Sequence, residues 1–157
     1  MTPKKRSPKH ERVATILRRC VGSIVEGWLA RATESTELNH FMLSDEERTR
    51  HLPKLVEDLI IRLGKRRTTA KNRDAVSSST AIAHGKLRHE QGYSAAMLVH
   101  ESRILQVTLF ETLQNNVSFL DLSLLLSDVM TIADEVDAQL AQSMDSYINA
   151  MRLSLAA

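Results

Sequence analysis

Helix breakers and aromatic residues are scarce in this chain of 157 residues, which has five glycines, three prolines and only 4% aromatic residues. Hydrophobic residues nevertheless make up 43% and charged residues 25% of the composition, which excludes a disordered or loop-rich chain. A chain of this length can bury a core as one domain. Because little interrupts helical patterns here, the sequence predicts an all-α fold.

Cysteine and long apolar runs are also nearly absent. Cys20 is the only cysteine, which excludes a disulfide framework and a thiolate metal cluster and fits a reducing cytoplasm. No segment approaches the roughly 18 apolar residues that cross a bilayer. The basic start leads into Ser7 and Pro8 rather than into the apolar core of a signal peptide. We therefore expect a cytoplasmic protein without membrane insertion.

Charge of one sign is not in large excess, since the net charge is +2. The surplus lies in a predicted flexible tail, residues 1–10, and a basic loop, residues 64–73. A nucleic-acid-binding protein usually places such charge along one ordered face, so both segments are interpreted as solvated and no nucleic-acid partner is expected. Binding through the basic loop is the last-ranked alternative, and it would make any DNA affinity strongly salt-dependent.

The sequence predicts six helical segments, five from hydrophobic residues at helical spacing and the second, a short polar helix, from its capping pattern. These segments cover approximately residues 11–33, 44–52, 53–63, 74–91, 94–113 and 121–153. Ser44 and Glu47 form a capping-box pattern at the start of the second segment, and Pro53 suits the first turn of the third. The first five segments form the predicted globular domain, residues 11–120.

The last segment, residues 121–157, carries a heptad pattern. Its apolar residues alternate at spacings of four and three: Leu122, Leu126, Val129, Ala133, Val136 and Leu140. A helix over this segment would be about 50 Å long, more than one small domain can bury. We therefore expect it to pack on the core in part and then to project or to pair with a second copy, which predicts a homodimer.

Polar side chains concentrate where the fourth and fifth segments meet. Glu101 has only apolar neighbours three and four residues away, so it should point into the core. A buried carboxylate needs a partner, and Arg88 lies one turn before Gly92 on the preceding helix. The sequence therefore predicts an Arg88–Glu101 ion pair beneath the turn at Gly92, serving either as a clamp or as a pocket floor. The candidate residues at this joint are His84, Arg88, Gly92, Tyr93, His100, Glu101 and Arg103.

No catalytic or metal-binding motif is complete. The chain has six histidines, but no HExxH or Cys/His cluster frames them, so neither an enzyme nor a metal site is expected. His100, Glu101 and Arg103 match the His-Glu-x-Arg core of the phosphoacceptor box in sensor kinases, which makes histidine phosphotransfer the alternative function. Against it, Ile104 and Leu105 stand where that family has Thr or Asn and then Pro.

Two motifs carry a resemblance to a known family. They are HLPxLVxDL from His51, and HGKLRHEQGYS from His84, which is followed by LVxExRxL from Leu98. The segment of residues 51–113 resembles the N-terminal domain of RsbRD-type co-antagonists of the bacterial stressosome. The same domain type stands at the front of sensor histidine kinases.

The resemblance implies a globin-like, non-enzymatic sensor domain of the stress response. Such a domain dimerises and passes a signal through its last helix to an output domain or to stressosome-type partner proteins. Haem-binding sensor globins, similar in outline, carry their iron-binding histidine four residues before a glycine that matches Gly92. Arg88 stands at that position here, and its guanidinium stays protonated and cannot bind iron. A non-haem domain without a cofactor is therefore expected, and the sequence does not identify its stimulus or small ligand.

Overall fold

The computed structural model describes residues 10–65 and 77–157. Its helices are α1 Val13–Arg19, α2 Val21–Glu34, α3 Asp45–Thr49, α4 Leu52–Lys65, α5 Ser79–Glu90, α6 Ala95–Asn115 and α7 Leu122–Ala156. A 3₁₀ turn, Val117–Phe119, joins α6 to α7. In the described part of the chain the only β-type pairing is an isolated bridge between Glu11 and Leu120. The predicted all-α fold with a long final helix is confirmed.

The first predicted helix divides into two at Cys20, so the described residues form seven helices where about six were expected. Cys20 has φ −100° and ψ 8°, outside helical geometry. Its amide still donates to the carbonyl oxygens of Ile16 and Leu17, so the chain bends without leaving the core. The apolar stripe continues across the bend into α2, where Trp28 is buried. Periodicity therefore predicted the buried face correctly and the unbroken helix wrongly.

Side-chain caps set the starts of α3 and α5. Ser44 accepts a hydrogen bond from the amide of Glu47, whose carboxylate accepts one from the amide of Ser44, so the predicted capping box is confirmed. Ser78 caps α5 by accepting from the amide of Ala81. This cap starts the helix at Ser79 rather than near residue 74. Residues 74–76, the predicted basic tail before residue 10 and most of the predicted basic loop lie outside the described residues.

The longest helix, α7, packs against α4, α5 and α6. It has 35 residues, a length of about 52 Å. Its buried residues follow one face: Thr131, Ile132, Glu135, Val136, Gln139, Ser143 and Tyr147. The helix therefore joins the core through its middle, and every residue after Ala150 is exposed.

The predicted heptad seam and the buried face of α7 coincide only at Val136. Leu122 and Leu126 are 62% and 74% exposed, and Val129, Ala133 and Leu140 are half-buried. On a straight α-helix, residues that repeat every 3.5 positions shift around the helix surface by about 20° per heptad. The residues of the seam therefore do not all face the same neighbouring helix. Leu122 and Leu126, in the first turns of the seam, are thus exposed for contact with another chain. Their pairing with a second copy stays a prediction.

Helices α5 and α7 approach each other closely at Gly85. A Cβ atom built on this residue would overlap the backbone carbonyl group of Ser143. The Ser143 hydroxyl also donates to the carbonyl oxygen of Ala81 at 2.8 Å. Glycine at position 85 therefore sets the distance between the two helices, although glycine inside a helix costs about 1 kcal/mol relative to alanine.

We expect Gly85→Ala to lower the free energy of unfolding by at least about 2 kcal/mol, because backbone rather than a flexible side chain must move. Gly22→Ala is the matched control, since a Cβ there meets nothing within 4 Å. It should be neutral or stabilising by up to about 1 kcal/mol. Urea unfolding followed by circular dichroism measures both variants, and equal stability of Gly85→Ala and wild type would contradict the close approach.

A buried polar cluster as the candidate functional site

An ion pair between Arg88 and Glu101 occupies the centre of a buried polar cluster. Arg88 Nη2 lies 3.0 Å from Glu101 Oε1, and Arg88 Nε donates to Glu101 Oε2 at 3.1 Å. Their side chains are 0% and 3% exposed. Charge-assisted contacts of this kind offset part of the cost of removing both groups from water. The ion pair predicted from the neighbours of Glu101 is therefore confirmed.

Three further contacts hold the Arg88 guanidinium. Nη1 donates to Gln91 Oε1 at 2.7 Å, and Nη2 donates to the backbone carbonyl of Arg48 at 3.0 Å. The guanidinium carbon lies 4.7 Å from the centre of the Tyr93 ring, a cation–π contact. Arg88 thus connects α5 to α3 and to the turn that follows α5.

The predicted turn at Gly92 places Tyr93 between the cluster and α7. Gly92 has φ +83°, a left-handed conformation that glycine adopts without steric cost. Tyr93 is buried, stacks on Phe41 with ring centroids 4.7 Å apart, and accepts a hydrogen bond from the Tyr147 hydroxyl on its backbone carbonyl. Burial, together with the charge of Glu101, raises the pKa of the Tyr93 phenol. The turn therefore links the Arg88 site directly to α7.

Two histidines extend the cluster away from the turn. His84 lies one helical turn before Arg88 and places Nε2 3.0 Å from Glu101 Oε2. His51, just before α4, stacks on His84 with ring centroids 3.8 Å apart and planes at 19°. Trp28 meets His51 edge-on at 5.9 Å and donates from Nε1 to the backbone carbonyl of Glu101. His84 and Arg88 of α5, His51 before α4 and Trp28 of α2 therefore surround Glu101 of α6.

Burial is the main cause that holds the pKa of His51 well below its usual range, and the nearby His84 and Arg88 act in the same direction. His51 is therefore neutral near pH 7, so one of its ring nitrogens carries a lone pair rather than a proton.

Two buried atoms of the cluster have no hydrogen-bond partner among the described residues, namely His84 Nδ1 and Glu101 Oε1. The contact of Oε1 with the guanidinium is short but poorly directed, so it is electrostatic rather than a hydrogen bond. A cavity of about 30 Å³ is lined by the two residues that carry these atoms, His84 and Glu101, together with His51 and, from α7, Gln139 and Ser143 among others. Such a volume holds one or two water molecules at about 10–15 Å³ each.

The cluster contains a set of metal-binding residue types. His51, His84 and Glu101 each offer a ligand atom, and these atoms lie within 4.8 Å of one another. Two imidazoles and one carboxylate suit first-row transition metals. No short sequence motif predicts this set of ligands, because its members come from three separate segments that meet only in the folded protein.

Sequence reasoning therefore missed His51 and Arg48 as members of the site. His51 had a signal only as the first residue of the HLPxLVxDL motif. Arg48 had none, since it follows the capping box on a short polar helix. Its buried guanidinium donates to three backbone carbonyls, those of Leu38, Phe41 and Leu43, and so orders the loop before α3.

The other candidates of the joint lie outside the cluster. His100 is half-buried, and its Nε2 is 3.1 Å from the Ser35 hydroxyl oxygen. A phosphoryl group on Nε2 would have to displace Ser35, which disfavours a phosphoacceptor role. Arg103 is exposed. His89, a further histidine of α5, contacts the end of α7, where its Nε2 lies 3.1 Å from the Ser154 hydroxyl oxygen.

No family model, curated protein or solved structure matches this chain. The globin-like topology therefore stays a prediction from the sequence. Within residues 10–65 and 77–157, no helix is both long and apolar enough to cross a membrane.

A second buried carboxylate, Glu135, lies on the same face of α7. Its Oε2 is 3.1 Å from Arg62 Nη1, and its Oε1 accepts from Gln139 Nε2 at 3.3 Å. Burial raises the pKa of Glu135 above its ordinary value of 4.5, even though Arg62 acts in the opposite direction. The folded protein therefore binds this proton more tightly than the unfolded chain does.

The pKa of Glu135 is higher in the folded protein than in the unfolded chain. Protonation of Glu135 therefore increases the free energy of unfolding as pH falls from neutral toward 4.5. We expect Glu135→Gln, which cannot ionise, to be at least as stable as wild type at pH 7 and to lose this advantage near pH 5. Glu90→Gln is the matched control, since the Glu90 side chain is 56% exposed. Urea unfolding at both pH values measures the effect. A loss above about 1 kcal/mol for Glu135→Gln at pH 7 would mean that the Arg62 pair outweighs desolvation.

Proposed function

We propose that this protein is a cytoplasmic, non-enzymatic input domain of a bacterial signal-transduction protein. Its output would be of the histidine-kinase or stressosome type. The domain senses through the buried polar cluster and transmits through α7 in a homodimer. One observation carries the proposal: α7 lines the cavity beside the cluster with its middle and leaves large apolar side chains exposed at both ends. The resemblance of residues 51–113 to stressosome sensor domains supports the same function.

Contacts between the cluster and α7 support the sensing half of the proposal. Gln139 and Ser143 line the cavity, and Tyr147 bonds the carbonyl of Tyr93, on whose ring the Arg88 guanidinium lies. Protein interiors are close-packed, so a change at the cluster is passed to the helix beside it. A ligand shifts such an equilibrium only as far as its affinities for the two states differ.

The exposed start of α7 supports dimerisation. Leu122, Leu126 and Met130 follow one another at spacings of four on one helical face and are 62%, 74% and 61% exposed. Phe119, in the turn before α7, is 52% exposed. Apolar surface of this kind is typical of interaction sites. Because these four residues are uncharged, two copies of the patch can face each other across a two-fold axis.

The last turns of α7 are suited to contact with an output domain or a partner protein. Leu153 and Leu155 are 74% and 82% exposed, and Met151 is 38% exposed. The helix between these residues and the cavity is continuous. A displacement of its middle therefore reaches them without an intervening hinge.

Spin labels at position 152, introduced by Arg152→Cys in a Cys20→Ser background, test the dimer. A homodimer gives a distance between the labels of two protomers in pulsed electron paramagnetic resonance. We expect Leu126→Glu to abolish this distance, because a charge cannot be buried in an apolar interface without a partner. Met42→Glu, at a residue that is fully exposed in a loop, should leave it unchanged. Labels without an intermolecular distance would contradict the dimer.

The same labels test transmission through α7. We expect Glu101→Gln, which removes the charge that pairs with Arg88, to shift the distance distribution of the intact dimer. Glu111→Gln makes the same chemical change on the surface of α6, where the side chain is 48% exposed, and should cause no shift. An unchanged distribution for Glu101→Gln would mean that the cluster only clamps the helices.

A further inference from the structure

We propose that His51, His84 and Glu101 bind one divalent transition-metal ion. This inference deepens the proposed function, because it names a ligand class for the cluster through which that function would sense. The binding site itself depends only on the geometry of the three side chains. A structural role for the ion would therefore survive even if the protein transmits no signal.

The spacing of the donor atoms fits a shared ion. His84 Nε2 and Glu101 Oε2 are 3.0 Å apart. Two ligands that each lie about 2.1 Å from one ion, at angles of about 90–109°, are themselves about 3.0–3.4 Å apart. The third donor, on His51, completes a set whose atoms all lie within 4.8 Å. A shift of one side chain therefore brings three donors onto a single ion.

Buried polar atoms at the same two side chains lack hydrogen bonds. His84 is 7% and Glu101 is 3% exposed, and His84 Nδ1 and Glu101 Oε1 have no hydrogen bond among the described residues. Leaving such an atom unsatisfied costs about 1–3 kcal/mol. These atoms are not the closely spaced Nε2 and Oε2 that the ion would share. They show that the protein gives up stability at the two residues that would hold the ion.

The adjoining cavity provides the room that coordination needs. Its volume of about 30 Å³ accepts one or two water molecules, which would supply the remaining ligands of a site with three protein donors. The stacked rings of His51 and His84, with centroids 3.8 Å apart, present their nitrogens side by side rather than toward one point. One ring must therefore rotate toward the cavity, so metal binding should open the stack.

The neighbouring Arg88 limits which ions can bind. Its Nε donates to Glu101 Oε2, the oxygen that would bind the ion. The Arg48 carbonyl, Gln91 and the Tyr93 ring hold the rest of the guanidinium, so it remains beside Glu101 when an ion arrives. Calcium and magnesium need several oxygen ligands, and one carboxylate already shared with a cation does not meet that need. Imidazole nitrogen favours zinc, cobalt, nickel or iron.

Calorimetric titration of the chelator-treated full chain with Zn²⁺ tests the site, and Co²⁺ gives an independent optical readout. We expect one equivalent of Zn²⁺ to bind and the Co²⁺ complex to show visible absorption bands. His51→Gln and His84→Gln should each weaken binding at least about tenfold, as loss of a contact in a metal site does. His100→Gln is the matched control, because His100 is half-buried on α6 but lies outside the cluster.

Failure to bind one equivalent would overturn the proposal. So would binding that is equally tight in His51→Gln, His84→Gln and wild type, since the ion would then sit elsewhere on the chain. If His84→Gln does not fold by circular dichroism, His51→Gln decides the question alone. Absence of metal binding in a protein that still dimerises and transmits would remove this inference and leave the proposed function standing.

Discussion

A guanidinium buried without its carboxylate would cost about 3–5 kcal/mol, and this constraint ties four helices of the protein together. Arg88 of α5 pairs with Glu101 of α6 and donates to the carbonyl of Arg48 in α3. Its charge lies over the ring of Tyr93, whose own carbonyl is bound by Tyr147 of α7. The pair therefore links α3, α5 and α6 directly, and Tyr93 connects it to α7. The position of α7 is therefore coupled to a charge in the core.

The polar cluster joins the helices at a cost in folding stability. Well-packed apolar side chains often stabilise a core as well as a buried ion pair does, yet this core holds two histidines next to the pair and leaves two polar atoms without hydrogen bonds. A cavity lined by His84, Glu101 and residues of α7 lies beside them. These features support a role in binding beyond stability alone. They are also the reason that the proposed signal and the proposed metal ion share one location.

Local patterns account for much of what the sequence could predict. Glu101 was assigned to the core from its apolar neighbours along one helix, and Arg88 from its distance to the Gly92 turn, because both relations are set within one helical hairpin. His51 could not be placed in the same way, since its contact with His84 arises only when α4 packs beside α5. The bend at Cys20 was missed because one non-helical residue leaves the apolar stripe intact.

A double-mutant cycle on Arg88→Met and Glu101→Leu tests the central claim most directly. Urea unfolding should show a loss of about 3–5 kcal/mol for each single variant, because each leaves one charge buried alone. The double variant should lose at least about 2 kcal/mol less than the sum of the two. The surface pair Arg31–Glu111, with its side chains 32% and 48% exposed, should couple by no more than about 1 kcal/mol. Additive losses for Arg88 and Glu101 would contradict the claim that this pair holds the fold together.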